Sequence, residues 1–472
     1  MSVEVAHVSG ISCRLQPLAD AAWRRAAHEG RPIVASLVAP APVCDPLALF
    51  SLHGLDRDGF YWEQPSEAFA LVGIGDAFTT TPAGDRRFRE AADIVSHLLT
   101  DAVVVDASNG ARGTGPLFTG GFAFDPKRKP DGVWRGFPDA RLTLPRIILT
   151  RVDERAWLTV NLVVWPDTDP VRAIAAIETE LADLLCGATG APALPGPAPA
   201  VEGTDSAVEW RALVAEAADR VRAGELEKVV LARAVRLRGE EPLPVPVALE
   251  RLRAAYPTCR VFAVACNDAV FLGATPERLA RLDGDVVQVD CLAGSIGRGA
   301  TPEDDARLAA ALLASEKDRV EHDVVARVIR GGLAGLCDDV RAPERPRLLT
   351  MANVHHLYTP VRAHLLPGRT LLDVAERLHP TPAVGGVPRE SALRFIRERE
   401  GLDRGWYAGP VGWVGATGGE LAVGLRSGIV RGREATLFAG CGIVADSDPE
   451  REEAESGLKL RPMLAALGVP LR

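Results

Sequence analysis

Residues 187–204, GATGAPALPGPAPAVEGT, constrain the fold of this chain more than any other stretch. Repeated prolines remove backbone donors and fix φ, and the glycines add freedom, so the segment can hold neither a helix nor a central strand. It reads as a surface connection between an N-terminal portion, 1–186, and a C-terminal portion, 205–472. The two need not be separate domains, because elements on either side can complete one core. A length of 472 residues is compatible with one large unit of helices and strands.

On either side, two periodicities recur. ALVGIG (70–75), RIILTR (146–151) and WLTVNLVVW (157–165) read as strands, and RRFREAADIVSHLL (86–99) and PVRAIAAIETELADLL (170–185) as amphipathic helices. Beyond the connection, AVEWRALVAEAADRVRAGE predicts a helix ending near Gly224, and KVVLARAVRL (228–237) a strand. RVFAVACNDAVFLGA (260–274) and RLARLDGDVVQVDCLAG (278–294) predict strand–turn–strand pairs, the second turning at Asp283-Gly284. Two helices are expected over roughly 301–335, more paired strands between Tyr407 and Val444, and a closing acidic helix over 449–466. Strand pairs mixed with long helices predict an α+β sandwich with largely antiparallel sheets.

Composition excludes several classes. A net charge of -9 argues against a nucleic-acid partner. The N-terminus, MSVEVAHVSGISCRLQ, has no leader pattern, and no apolar run reaches the ~18 residues needed to span a membrane. The eight cysteines are scattered without a CxxC pair, which predicts reduced thiols in a cytoplasmic protein rather than a zinc site. Gly73-Ile74-Gly75 lacks the further spacing of a dinucleotide loop, and no Walker-type loop is present.

Two acidic pairs stand out. Asp318 and Glu321 lie i, i+3 in SEKDRVEHDVVARVI (315–329), and Glu452 and Glu455 repeat that spacing in PEREEAESGLK (449–459). Each pair shares one helix face. Such pairs are common as solvated surface charge. Two facing helices carrying them would make a hard-oxygen site suited to Mg²⁺, which takes few protein carboxylates and keeps waters.

The neighbouring text decides between these readings. KVVLAR, GATPERL, LAGS, KDRVEH, LTMANVHHLYTPV, LHPTPAVGGVP and FAGCGIVADSDPEREEAESGLK follow one another over about 205–470. In that order they resemble the chorismate-binding enzyme family, which includes anthranilate, aminodeoxychorismate, salicylate and isochorismate synthases. GGFAFDP (120–126) and GFPDARLTLPRIILTR (136–151) are similar to isochorismate synthases of menaquinone and siderophore pathways. The resemblance implies two stacked, largely antiparallel sheets flanked by helices, with the active site between them. It also implies a Mg²⁺ cofactor on the substrate's ring carboxylate, with Glu321 and Glu455 as direct ligands and Asp318 and Glu452 nearby through water.

The same resemblance implies roles for other residues. Isochorismate formation adds water at ring carbon 2 of chorismate and expels the hydroxyl from carbon 4, an intramolecular hydroxyl transfer classed as an isomerisation. Both steps need proton transfer. Lys228 matches the base position and must present a neutral amine, which burial and nearby cations favour. Glu277 matches the acid and must be protonated at rest. Arg426 is suited to a bidentate carboxylate clamp, Lys459 lies one turn past Glu455, and Tyr407 can donate its hydroxyl. Gly440 and Gly442 allow close backbone approach. Gly294 and Ser295 fall in a substrate-facing loop, and His356 beside the ring or its leaving hydroxyl.

Lys228 replaces the Gln typical of ammonia-using relatives, and Ala293 replaces a nucleophilic Lys of aminodeoxychorismate synthases. No glutaminase triad is evident, so no such subunit is expected. Ala383 stands where salicylate synthases tend to carry Thr, which favours stopping at isochorismate over continuing to salicylate and pyruvate. The expectation is thus an isochorismate synthase, preferably of menaquinone biosynthesis and monomeric. The alternatives are a salicylate synthase and a non-catalytic chorismate-binding paralogue.

Overall fold

The computed structural model describes residues 3–128, 130, 132–186, 200–204, 207–351 and 354–470. Its architecture follows from alternation along the strands. In Arg260–Cys266, Val261, Ala263 and Ala265 enter one apolar core while Phe262, Val264 and Cys266 enter another. A strand buried on both faces lies between two layers. Phe262, Phe271 and Phe438 are fully buried, each contributing roughly 1.5–3 kcal/mol relative to exposure.

The first sheet begins at Val103–Asp106 and continues through Ile33–Ala41, Arg155–Val164, Ala140–Val152, Phe69–Thr80 and Phe60–Gln64. It then passes through Arg260–Cys266, Ala269–Thr275, Ser427–Arg431 and Glu434–Ile443 to Lys228–Arg238. The second sheet runs Leu117–Phe122, Pro410–Gly415, Gly418–Val423, Arg278–Asp283, Val286–Gly297, Val354–Leu365. The strand Ala140–Val152 belongs to both, because Leu117–Phe122 and Arg155–Val164 pair with its two halves. Among the described strands only Ile33–Ala41 with Val103–Asp106 is parallel. This is the α+β sandwich expected, and both portions of the chain enter both sheets.

Between the layers, Phe69 meets Trp413 at 5.9 Å between ring centroids. A buried charge network bolts the same interface: Arg260 of the first sheet and Arg112 both pair with the fully buried Glu420 of the second. Helices Val3–Glu29, Pro170–Cys186 and Val245–Ala255 cover the outside of the first sheet. Helices Arg87–Thr100, Glu316–Leu333 and Leu371–Leu378 cover the second.

Most predicted elements are present, including Pro449–Ala466 at its expected bounds. Trp165 lies just past its strand, exposed. The N-terminal helix is an addition: Ile11, Leu15, Ala19, Ala22 and Ala26 form its buried stripe despite Pro17. The expected connection lies outside the described residues over 187–199. Its tail, Ala200–Thr204, is a strand on the edge of Lys228–Arg238, a position that proline and glycine restrict less than a central one.

Candidate active site

The strand Lys228–Arg238 runs antiparallel to Glu434–Ile443, pairing Val230 with Gly442 and Ala232 with Gly440. The two glycines are matched to side chains. A Cβ at Gly442 would come within 2.6 Å of Lys228 Cε, and one at Gly440 within 3.2 Å of the Tyr407 hydroxyl. Lys228 is thereby folded down, 4% exposed, and its Nζ donates to Glu321 Oε1 at 2.6 Å. Tyr407 stacks on Phe438 at 5.2 Å.

Across the space stands the second sheet. Its pairing slips between Leu292 and Ser295, leaving one extra residue opposite Leu357. Gly294 sits in this bulge at φ +80°, where a Cβ would approach Asp318 Cβ at 3.1 Å. The bulge brings Ser295 Oγ within 2.7 Å of His356 Nδ1. The other ring nitrogen of His356 is buried without a hydrogen-bond partner. Burial, then the charges of Arg426 and Lys459, bring this imidazole down to about 3, so it is neutral near pH 7.

Glu277 precedes the strand Arg278–Asp283 and is 7% exposed. Burial lifts its carboxyl to about 7, against the pull of Lys228, and Asp290 adds to the rise. Arg426 adopts φ +48°, a left-handed conformation that costs a non-glycine residue about 1–3 kcal/mol. Its Nη1 is buried with no partner. A guanidinium held so, at a cost in backbone strain, is matched to an anion from outside the chain.

Two helices supply the acids. Ser315 caps Glu316–Leu333 by accepting from the Asp318 amide at 3.2 Å, and its hydroxyl donates to Asp318 Oδ2. That bond occupies one carboxylate oxygen of Asp318. In Pro449–Ala466, Glu452, Glu455 and Lys459 share a face, and Lys459 Nζ reaches Glu455 at 2.6 Å and the Gly440 carbonyl at 3.0 Å. Burial and the neighbouring Glu455 push the Glu452 carboxyl up. Among the described residues no three acids, imidazoles or thiols converge tightly enough to chelate a cation unaided.

All fifteen sequence-derived site residues border one cavity of about 290 Å³: Lys228, Glu277, Gly294, Ser295, Asp318, Glu321, His356, Ala383, Tyr407, Arg426, Gly440, Gly442, Glu452, Glu455 and Lys459. The volume is at the small end for ligand pockets, roughly 300–1,000 Å³. The family model described as chorismate binding enzyme matches residues 21–468. This chain belongs to the chorismate-binding enzyme family. It is 35% identical to the isochorismate synthase MenF of Bacillus subtilis, over 90% of this chain and 91% of the relative. It is 39% identical to the salicylate biosynthesis isochorismate synthase of Pseudomonas aeruginosa, over 93% and 90%. The structure of the menaquinone-specific isochorismate synthase of Escherichia coli superposes with a TM-score of 0.78 at 24% identity, covering 96% of this chain and 99% of that one.

The motifs left unassigned one residue of the cavity wall and one that lies behind it. Arg404 lines the cavity, paired at i, i+4 with Glu400, whose side chain is fully buried. Arg404 lies three residues before Tyr407, and its i, i+4 spacing from Glu400 was the available signal. His322, the last residue of KDRVEH, bonds the Ala293 carbonyl at 3.2 Å and Thr359 Oγ1 at 2.8 Å, pinning the acidic helix to the bulged strand.

Proposed function

We propose that this protein is an isochorismate synthase, an isomerase that converts chorismate to isochorismate. The observation that carries the reading is a carboxyl lifted to about 7, Glu277, in one cavity with a buried lysine, Lys228, and the Arg426 guanidinium, whose Nη1 has no protein partner. Relatives of near-full length named as isochorismate synthases support it.

The reaction needs a proton removed from water and a proton delivered to a leaving hydroxide. In this reading Lys228 takes the proton of the water that bonds to ring carbon 2. Glu277, half protonated near pH 7, delivers its proton to the carbon-4 hydroxyl, which leaves as water. Solvent exchange returns both groups to their starting forms. Arg426 clamps one carboxylate of the dianion bidentately and Lys459 holds the other as a point charge. Tyr407, whose hydroxyl burial keeps protonated, donates to the enolpyruvyl group. His356 is neutral beside the ring, with Ser295 on Nδ1 and Nε2 left to meet substrate.

The donor set fits Mg²⁺: carboxylates from two helices border the cavity, few enough to leave places for water and substrate oxygen. Glu321 and Glu455 would hold the ion, with Asp318 and Glu452 outside them. When bound it supplies positive charge at the ring carboxylate. The small Ala383 on the wall supports stopping at isochorismate. Menaquinone biosynthesis is the preferred pathway, on the long N-terminal portion and the relative named MenF.

Turnover in ¹⁸O-labelled water tests the reaction type. Isochorismate carrying ¹⁸O in its carbon-2 hydroxyl is expected. Product that retains the substrate's own carbon-4 oxygen there would rule out addition of water.

A further inference from the structure

Among the described residues, the strand that opens with Lys228 has an incomplete outer edge. Gly386–Val387 pairs with its first two residues, the Val230 amide donates to the Gly385 carbonyl at 2.9 Å, and Ala200–Thr204 pairs with its last four, leaving no described strand along residues 231–234. An ion pair fills the gap. Glu400 accepts from the Ala232 amide at 2.8 Å, and Arg404 donates to the Val230 carbonyl at 2.7 Å. The same guanidinium donates to the Val384 carbonyl at 3.0 Å and to Glu400 at 2.7 Å, and lies 4.4 Å from the Phe124 ring centre. Neither side chain of the pair is more than 3% exposed.

We infer that Arg404 and Glu400 act as one positioning unit, a side-chain substitute for a strand, that fixes the Lys228 strand against the loop carrying Ala383. The inference rests on the proposed reaction for its catalytic consequence. The geometry is specific to a fork. One guanidinium serves two carbonyls on different segments plus a carboxylate, which an ammonium cannot do in that plane. A pair kept only for stability is replaceable, since apolar side chains of similar volume often hold a core equally well. A positioning pair is not replaceable in that way, because apolar atoms leave the Val230 and Val384 carbonyls and the Ala232 amide unbound.

The test compares wild type with Arg404→Lys and with Glu400→Leu/Arg404→Met. Three readouts are taken: steady-state chorismate conversion, melting temperature, and amide exchange of Ala232 and of residues 383–385. The expected result for the double variant is a folded protein with a lowered melting temperature, because three buried backbone groups lose their partners. Its kcat falls at least tenfold, its KM stays within twofold and exchange at Ala232 is faster, and Arg404→Lys does not restore kcat. Unchanged kcat with unchanged exchange in a folded double variant overturns the inference. A KM rise of tenfold or more with kcat kept also overturns it, since Arg404 would then be a substrate ligand. Should the double variant not fold, Arg404→Lys alone decides on the same kcat and exchange criteria. A wild-type protein that converts no chorismate defeats the proposed function instead, and Ala232 exchange then judges the positioning unit by itself.

Discussion

Charge is buried in two places in this molecule, and the two are built oppositely. Around Glu420, arginines from different elements converge on one carboxylate. Burial there is outweighed by Arg260, Arg112 and Arg278, so Glu420 falls to about 2. Around Glu277 burial is not outweighed, and the carboxyl stands at about 7. Nearby, His356 Nε2 and Arg426 Nη1 have no protein partner. The first arrangement is closed within the chain, and its removal is felt as lost stability. The second is completed by something that binds, and its removal is felt in chemistry.

The sharpest break of this contrast is in the catalytic pair. Lys228→Ala and Glu277→Gln should each lower kcat by about 10²–10⁴, with melting temperatures near wild type. A Glu277→Gln enzyme of normal kcat would move the acid elsewhere. Next, Glu420→Ala should cost about 3–5 kcal/mol in urea unfolding, because it strands buried guanidinium charge, while kcat of the folded fraction stays within about threefold. A catalytic loss without a stability loss would erase the distinction. Arg426→Gln should raise KM about 10–100-fold, the worth of charged hydrogen bonds to an anion, and leave the unfolding midpoint little changed. The smallest effect is graded with pH. As a general acid Glu277 works protonated, so kcat should fall about tenfold per unit well above pH 7. His356, already neutral, should add no limb in that range. A profile flat to pH 9 would contradict the assignment.

The strands and helices of the C-terminal portion were legible because their periods are clean, and the acidic helix 449–466 carries its own start signal, Asp448 before Pro449. The residues that border the cavity were legible through motifs, each of which places several of them within a few positions. What the sequence hides is the consequence of long-range pairing. The bulge at Gly294 exists only once Val286–Gly297 lies against Val354–Leu365. Glu400 and Arg404 gain meaning only beside a strand some 170 residues earlier, as the 168-residue separation of the Ala232–Glu400 bond records. The helix Val3–Glu29 was obscured by Pro17 and by a stripe made largely of alanine, whose apolar signal is weak.

The central claim is that the cavity of Glu277, and not the network of Glu420, carries out a metal-assisted isomerisation of chorismate. The most direct measurement is incubation of the purified protein with chorismate, in Mg²⁺ or in EDTA, with chromatographic separation of the products. Isochorismate formed only with Mg²⁺, without salicylate or pyruvate, is the predicted result. Salicylate together with pyruvate, or chorismate bound and unchanged, would contradict it.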